Sequence, residues 1–331
     1  MLRRRHRPAL LLAALLAGCL LLAGCGLGTA GGAVRSAELA GDVEDVPSLD
    51  GLEIAVGSKN FTENIILGKV TTTLLSSAGA EVTDLTNIPG SAAARQALLE
   101  GQVDAFWDYT GTGWITYLGH DEPVPGEQAQ YEAVRDEDLE QNGIVWLPPA
   151  EMNNTYGFAV TEQTREEYDI STLSEIKDLP VGERTFCVES EFTNRPDGLP
   201  GMLETYGIPQ GQPDGVPDQN LATFQTGAIY NATAQGACNF GEVFTTDGRI
   251  LALDLTVLED DREYFPKYNA SLLVREEVLE EHPAVEDLMT PVTDRLTNDL
   301  MQRLNAEVDV EGKEPADVAH EWLLDEGLVT E

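Results

Sequence analysis

Histidine is scarce in this sequence, and the residue patterns typical of several enzyme classes are missing. The four histidines are scattered, at His6, His120, His282 and His320. None belongs to an H-E-x-x-H motif or stands beside a cysteine pair, which disfavours a zinc site. The G-x-S-x-G elbow of hydrolases and the Walker loop of nucleotide-binding proteins do not occur either. We therefore predict no metal, no cofactor and no enzymatic activity, although the 58 Asp and Glu residues leave an unrecognised catalytic carboxylate pair open.

Basic residues are also few. The chain has 20 Lys and Arg against 58 Asp and Glu, a net charge of −38. Four of the arginines lie in the first seven residues, and removing those four positive charges from −38 gives −42 for the rest. This charge argues against binding to nucleic acid or adsorption to anionic lipid. It favours a saline exterior or a cationic ligand, and a generally acidic composition of the organism's proteins explains it equally well.

The first 24 residues have the pattern of an export signal. A basic stretch with Arg3, Arg4, Arg5 and Arg7 precedes a short apolar run, which is too short for a membrane-spanning helix. Leu-Ala-Gly-Cys occurs twice, ending at Cys19 and Cys25, and resembles a bacterial lipobox. We predict a signal peptide over 1–24, lipid attachment at Cys25 and a flexible tether over 25–51, which is rich in Gly, Ala, Asp and Glu. The alternatives are attachment at Cys19, which would leave LLLAG in the mature arm, and an ordinary secreted protein with an incidental cysteine.

Two cysteines remain after the leader, Cys187 and Cys238, each in a strand-like run. Outside the cytoplasm they are expected to be oxidised, so we predict a disulfide between them. A loop of this length would stabilise the fold by about 4 kcal/mol in the chain-entropy view. Two buried thiols are the alternative.

Strand and helix patterns alternate along the rest of the chain, which predicts an α/β fold. Residues 52–56 form a strand pattern, Thr62 to Ser77 an amphipathic helix, and residues 103–109 a strand that leads into the aromatic segment FWDYTGTGW. The alternation repeats after residue 155, whereas the run RILALDLTVL at 249–258 is predicted to be extended. Two such halves predict a ligand cleft between them, at the ends of strands.

Cations and rings are placed at these strand ends. Lys59 and Arg195 each follow a strand and precede a helix, where free backbone N–H groups favour an anion. Rings that face one another across a cleft can enclose a cation that has no N–H to donate. The candidates for the cleft, together with Thr112 in the loop after a strand, are Tyr109, Tyr156, Phe244 and Tyr268. For any one of them, an ordinary surface cation or a packed core ring is the alternative.

These segments together resemble one known family, the substrate-binding lipoproteins of osmoprotectant ABC importers, which bind glycine betaine, choline, carnitine and related quaternary amines. The resemblance covers residues 52–329 and is carried by the motifs VGSKNFTE, DYTGT, NNTYGFAV, EFTNRPDGLP, FTTDGRI, LEDDREYFPKY and a closing LNAEVDV. It implies a type II periplasmic-binding fold with two mixed, mostly parallel sheets, flanking helices and two crossover segments. The implied lobes are 52–153 plus 266–331 for the first and 154–265 for the second.

The resemblance also implies roles for individual residues. The aromatic cage for a trimethylammonium group corresponds to Tyr109, Tyr156, Phe244 and Tyr268, and the carboxylate clamp to Lys59, Thr112 and Arg195. Phe244 stands where some members have Tyr, and Asn154 where some have Asp. Both departures leave the identity of the ligand open.

The implied partners are a small quaternary-ammonium ligand, an ABC permease and its ATPase, and the membrane through the lipid anchor. The protein is expected to be a monomer on the extracytoplasmic face of the bacterial cell membrane, without nucleic acid. The ligand could instead be choline, carnitine or another compatible solute. From other classes, a lipid-anchored hydrolase and a purely structural surface protein remain as alternatives.

Overall fold

The computed structural model describes residues 31–195 and 197–331. The predicted signal peptide over 1–24, with Cys19, and the lipid attachment at Cys25 lie outside the described residues. In the part of the chain that is described, no helix combines the length and the apolar character needed to cross a bilayer.

Twelve strands are defined within these residues. In chain order they are β1 (Glu38–Leu39), β2 (Glu53–Lys59), β3 (Glu81–Ile88), β4 (Ala105–Tyr109), β5 (Ile144–Trp146), β6 (Tyr156–Thr161), β7 (Phe186–Glu189), β8 (Leu221–Phe224), β9 (Phe240–Phe244), β10 (Leu255–Val257), β11 (Ala270–Arg275) and β12 (Val329–Thr330). One five-stranded sheet has the order β3-β2-β4-β11-β5 and a second has the order β10-β6-β9-β7-β8. The predicted α/β class is confirmed.

Helices flank both sheets. They are α1 (Thr62–Ser77), α2 (Ser91–Leu99), α3 (Glu127–Asn142), α4 (Glu162–Tyr168), α5 (Leu199–Thr205), α6 (Thr226–Ala234), α7 (Arg249–Ala252), α8 (Glu276–Glu281), α9 (Ala284–Thr293), α10 (Asn298–Asp309) and α11 (Pro315–Asp325). Shorter helical turns lie at Gly41–Val43, Thr110–Thr112, Gly113–Tyr117, Leu173–Asp178, Val181–Glu183, Phe192–Asn194 and Asp218–Asn220. We call the first sheet with α1–α3 and α8–α11 the first lobe, and the second sheet with α4–α7 the second lobe.

Helix α1 is the central helix of the first lobe. It has the bounds predicted from its periodicity, and Ile66, Leu67, Val70 and Leu74 are fully buried against the first sheet and the C-terminal helices. It follows β2 directly, so its N-terminus lies at the carboxyl end of that strand. This arrangement brings the first turn of α1 to the edge of the sheet where a ligand is expected.

Each sheet contains two parallel and two antiparallel strand pairings, which confirms the predicted mixed sheets, although parallel pairings are not the majority that was expected. The cause is the way the chain passes between the lobes. Strand β11 enters the first sheet from the second lobe and runs antiparallel to β4 and β5. Strand β6 enters the second sheet from the first lobe and runs antiparallel to β9 and β10. Alternation of strands and helices within a half did not reveal these reversals.

The two crossovers between the lobes lie side by side and are hydrogen-bonded to each other. Asn153 pairs with Asn269 in an isolated bridge, and the Asn154 N–H donates to the Tyr268 carbonyl over 3.1 Å. The Tyr268 N–H donates to Asn153 Oδ1 (2.7 Å), and the Thr155 hydroxyl donates to the Pro266 carbonyl (3.1 Å). A paired two-strand connection of this kind allows two lobes to rotate about one axis.

The segment 31–51 is not a flexible tether, which corrects the prediction for that part of 25–51. Strand β1 pairs antiparallel with the C-terminal strand β12. Val43 is fully buried and Leu49 is 1% exposed in the core of the first lobe. The sequence of this segment has no regular apolar period, and its partner strand β12 lies almost 300 residues further along the chain. The local sequence therefore did not predict that the segment packs against the first lobe.

We expect Leu49→Ala to lower the free energy of unfolding by about 2–5 kcal/mol, as for other leucines removed from a packed core. Leu251→Ala is the matched control, because Leu251 is 65% exposed. Denaturant unfolding of both variants checks this. Equal stabilities for the two would show that the segment does not contribute to the core.

The two cysteines of the second lobe are adjacent. Cys187 lies on β7 and Cys238 precedes β9, the neighbouring strand of the sheet. Their sulfur atoms are 1.97 Å apart, at bonding distance, and their Cα atoms are 5.8 Å apart. The pair joins segments 51 residues apart on the side of the sheet that is covered by α6.

Candidate ligand-binding site

A cavity of about 490 Å³ is lined by residues of both lobes and of the crossovers. This volume falls within the range of about 300–1,000 Å³ that is usual for small-molecule sites. All the residues predicted from the sequence to bind ligand line it: Lys59, Tyr109, Thr112, Asn154, Tyr156, Arg195, Phe244 and Tyr268. The structure therefore brings together segments that are up to about 200 residues apart in the chain. That these residues contact a ligand stays a prediction.

Four residues that line the cavity are the first or last residues of strands. Lys59 is the last residue of β2, Tyr109 of β4 and Phe244 of β9. Tyr156 is the first residue of β6, and it pairs with Phe244 because β6 runs antiparallel to β9. Asn154 and Tyr268 belong to the two crossovers.

Five aromatic rings form a connected group at this cavity. The Tyr156 ring centroid lies 5.2 Å from that of Phe244 and 5.8 Å from that of Tyr268, the latter edge-on. The ring of Phe61 stacks 6.2 Å from Tyr109 and 6.0 Å from Phe244, and so connects the rings of the two lobes. Phe61 was not among the predicted residues. The signal for it was present, since it lies in the motif VGSKNFTE immediately before helix α1.

Side-chain cations already lie near the ring faces. Lys59 Nζ is 4.7 Å from the Tyr109 ring centroid and 5.6 Å from that of Phe61. The guanidinium carbon of Arg195 is 5.5 Å from the Tyr156 ring centroid. These distances are within the reach of cation–π attraction, so the rings present faces at which a positive group is stabilised.

Both cations of the predicted carboxylate clamp are paired with buried aspartates that sequence reasoning did not assign. Lys59 Nζ donates to Asp108 over 2.7 Å, and Asp108 is fully buried. Arg195 makes a two-point contact with Asp197, with Nε and Nη2 each 2.8 Å from a carboxylate oxygen. The Tyr268 hydroxyl also donates to Asp197. The clamp is therefore held in place by its own counter-charges before any ligand is considered.

A further ion-pair group lies at the rim, where the lobes meet. Arg249 of α7 contacts Asp247 (2.8 Å) and, across the lobes, Asp309 of α10 (2.9 Å). Two more acids, Glu189 and Glu191, line the cavity, and Glu191 lies 3.2 Å from Arg195. Arg249 was missed because its segment was predicted to be extended, whereas 249–252 form the short helix α7.

Burial sets the ionisation of the groups around the cavity. It raises the pKa of Tyr109, Tyr156 and Tyr268, so these rings remain neutral phenols. Burial also raises the pKa of Glu63, although four side chains donate hydrogen bonds to it. It raises the pKa of Glu242, behind Glu189, to about 8, so that this carboxyl is largely protonated at pH 7.

The two remaining predicted residues are also buried at the cavity. Thr112 is 4% exposed, in the helical turn that follows β4. Asn154 is 8% exposed and donates to Glu63, while its Oδ1 atom has no hydrogen-bond partner among the described residues. Neutral rings and cations that are already paired suit a small zwitterion or cation better than an anion.

A two-lobed α/β protein with a ring-lined cavity between its lobes belongs to the class of periplasmic-type solute-binding proteins. Residues 53–325 match the family described as the substrate binding domain of the ABC-type glycine betaine transport system. The chain belongs to this family and has its type II periplasmic-binding fold. It is a substrate-binding protein of osmoprotectant ABC importers. This family is a class of transport proteins and not a class of enzymes.

Individual relatives agree with this assignment. The chain is 37% identical over 284 residues to the glycine-betaine-binding protein of Pseudomonas aeruginosa, which covers 83% of this chain and 88% of that one. It is 32% identical over 281 residues to the glycine betaine-binding protein YehZ of Escherichia coli, covering 83% and 90%. A solved structure described as a glycine betaine/carnitine/choline ABC transporter superposes with a TM-score of 0.70 at 28% identity, covering 82% and 98%.

Proposed function

We propose that this protein captures glycine betaine or a closely related quaternary-ammonium solute in the cavity between its lobes. The observation that carries the proposal is the group of five neutral rings contributed by both lobes and a crossover, in which Phe61, Phe244 and Tyr156 connect Tyr109 to Tyr268. A quaternary ammonium has no N–H and cannot donate a hydrogen bond, so stacked π faces are the protein surface that holds it best. The names of the relatives support the same ligand class.

We assign the carboxylate of such a ligand to Lys59, Thr112 and Arg195. Lys59 and Arg195 are nearly buried, at 5% and 9% exposed, and their aspartate partners fix their positions. A charged donor held in a nearly dry site attracts a carboxylate more strongly than the same donor in water. Asn154 and Tyr268, from the two crossovers, complete the site.

The mechanism that we assign is closure of two lobes over the ligand. In this mechanism the first lobe comprises residues 31–153 and 266–331, and the second lobe comprises residues 154–265. Ligand held by the rings of both lobes shifts the population toward the closed form. The closed form then delivers the solute to a membrane permease that is driven by an ATPase.

In this proposal the protein acts as a monomer outside the cytoplasm, attached to the membrane through a lipid on Cys25. The described residues from Gly31 onward already contact the body, since the Gly31 carbonyl accepts from the Ala316 N–H (2.8 Å) and Arg35 pairs with Asp317 (2.6 Å). The protein lacks enzymatic activity in this scheme. Turnover of a betaine ester would instead support the alternative of a lipid-anchored hydrolase.

Calorimetric titration of the purified protein with glycine betaine, carnitine and choline tests the proposal. Glycine is the matched control ligand, because it has the same carboxylate as glycine betaine and a primary ammonium in place of the trimethylated one. We expect at least one methylated ligand to bind at least tenfold more tightly than glycine, and to be recovered unchanged. Equal affinity for glycine, or no binding of any quaternary amine, would contradict the assignment.

A further inference from the structure

The carboxylate of Glu63 is buried behind the cavity, at 2% exposure, and accepts four hydrogen bonds. Oε1 accepts from the Tyr109 hydroxyl (2.6 Å) and from Asn154 Nδ2 (2.8 Å). Oε2 accepts from the Thr246 hydroxyl (2.5 Å) and from Asn305 Nδ2 (3.2 Å). A carboxylate can only accept, so four converging donors match it better than any neutral side chain of the same size.

These donors come from the first lobe, the first crossover and the second lobe. Glu63 itself is in the first turn of α1, and Tyr109, which carries a cage ring, ends β4 of the same lobe. Asn154 belongs to the first crossover. Thr246 belongs to the second lobe and follows the cage residue Phe244 by two positions. One carboxylate therefore contacts a ring, a crossover and the opposite lobe.

The contact between Glu63 and Thr246 lies within a broader interface between the lobes. Asn305 Nδ2 also donates to the Thr246 carbonyl (2.9 Å), and Gln302 Nε2 donates to the Thr245 carbonyl (2.8 Å). Separation of the lobes would withdraw the Thr246 hydroxyl from Glu63 and leave a buried carboxylate oxygen with one donor fewer. Loss of a charged hydrogen bond in a buried setting is unfavourable, so this contact favours the closed arrangement.

We infer that Glu63 is a positioning residue for ligand recognition, which links closure of the lobes to the orientation of the Tyr109 ring. When the lobes are closed, Thr246 and Asn305 hold one oxygen of Glu63, and the other oxygen holds the Tyr109 hydroxyl. When they separate, the carboxylate loses its contact from the second lobe and no longer fixes the ring in the same place. The ring is thus set for a cation only when the cavity is closed.

The inference rests on the proposed function for the identity of its ligand. The contact between Glu63 and Thr246 forms without a ligand. We therefore expect Glu63→Gln and Thr246→Val each to weaken binding of glycine betaine at least tenfold, measured by calorimetry. Each should also increase the radius of gyration of the ligand-free protein, measured by small-angle X-ray scattering. Both variants break the same contact. The affinity of the double variant for glycine betaine should therefore be at most about threefold lower than that of the single variant with the lower affinity.

Asp138→Asn is the matched control. Asp138 is a buried carboxylate, 1% exposed, and its partners Arg95 and Trp146 lie in its own lobe (2.9 Å and 2.7 Å). This variant should lower the melting temperature without changing the radius of gyration or the ligand affinity. A silent Thr246→Val, or fully additive losses in the double variant, would overturn the inference and leave Glu63 as a local support for Tyr109.

The two hypotheses can fail separately. If the unaltered protein binds no quaternary amine, the proposed function is wrong, and scattering of the ligand-free variants still decides whether Glu63 holds the lobes together. An unchanged radius of gyration in both Glu63→Gln and Thr246→Val would then reject the link.

Discussion

Replacing Tyr156 with alanine is expected to weaken binding of a quaternary-ammonium ligand about thirtyfold or more. The Tyr156 ring contacts Phe244, Phe192 and Tyr268, with centroids 4.7 to 5.8 Å away, so its removal deletes one cage face and loosens the others. A desolvated cation–π contact contributes about 2 kcal/mol, which alone corresponds to roughly thirtyfold in affinity. Calorimetric titration with glycine betaine measures the loss.

Tyr156→Phe is the control for this prediction. It keeps the ring and its neighbours and removes only the hydroxyl, so the affinity should stay within about threefold of the original. Thermal unfolding of both variants shows whether the second lobe is intact, because Tyr156 also packs against its core. An alanine variant that is folded and binds with unchanged affinity would remove Tyr156 from the site.

The outline of the site was predictable because its residues lie in short, characteristic motifs at strand ends. Each predicted residue belongs to a motif or lies immediately beside one, and each lines the cavity. Glu63 and Phe61 lie in the same motif as Lys59, yet local sequence does not show that one faces a carboxylate cluster and the other a ring. That distinction depends on which residues of distant segments meet α1.

The ion partners were less accessible to sequence reasoning. Lys59 and Asp108 are 49 residues apart, and they meet because β2 and β4 are neighbours in the first sheet. In a chain with 58 acidic residues, no pattern singles out Asp108 as the one that neutralises a clamp residue. Asp197 was easier to predict as a partner, since it follows Arg195 by two positions. Proximity in the sequence does not by itself show that two side chains are in contact.

The fold was predictable to a similar degree. Periodicity gave α1 its observed bounds, but every residue from Ile66 to Leu75 is buried, so the helix is not amphipathic as predicted. It failed for residues 249–252, where a short apolar run is compatible with a strand or a helix and tertiary contacts with α10 decide. It also failed for 31–51, where the pairing partner is the C-terminal strand.

The paired charges of the clamp bear on ligand selectivity. Lys59 and Arg195 are each neutralised by a buried aspartate, so the site has no large excess of positive charge for a carboxylate to cancel. Their attraction for a carboxylate depends on the direction of the remaining N–H groups more than on net charge. Removing one member of a pair therefore leaves the charge of the other member uncompensated.

Arg195→Ala is expected to weaken binding of glycine betaine about thirtyfold or more and to weaken binding of choline much less. The variant removes a donor that we assign to the ligand carboxylate, and it leaves the Asp197 charge unpaired beside Tyr268. That charge repels a carboxylate and attracts an ammonium group, so the ratio of the two affinities should shift toward choline by at least tenfold. Titration of the variant with both ligands measures the ratio.

The matched control is Arg184→Ala, which removes another buried arginine of the second lobe. Arg184 donates to backbone carbonyls of residues 177, 179, 214 and 215, and it does not line the cavity. Its loss should lower the melting temperature and leave the affinity ratio unchanged. If Arg195→Ala reduces the affinities for glycine betaine and choline by the same factor, Arg195 supports the cavity walls without contacting the carboxylate. Asp197→Asn gives the opposite test, because it frees the Arg195 charge and should shift the ratio toward glycine betaine.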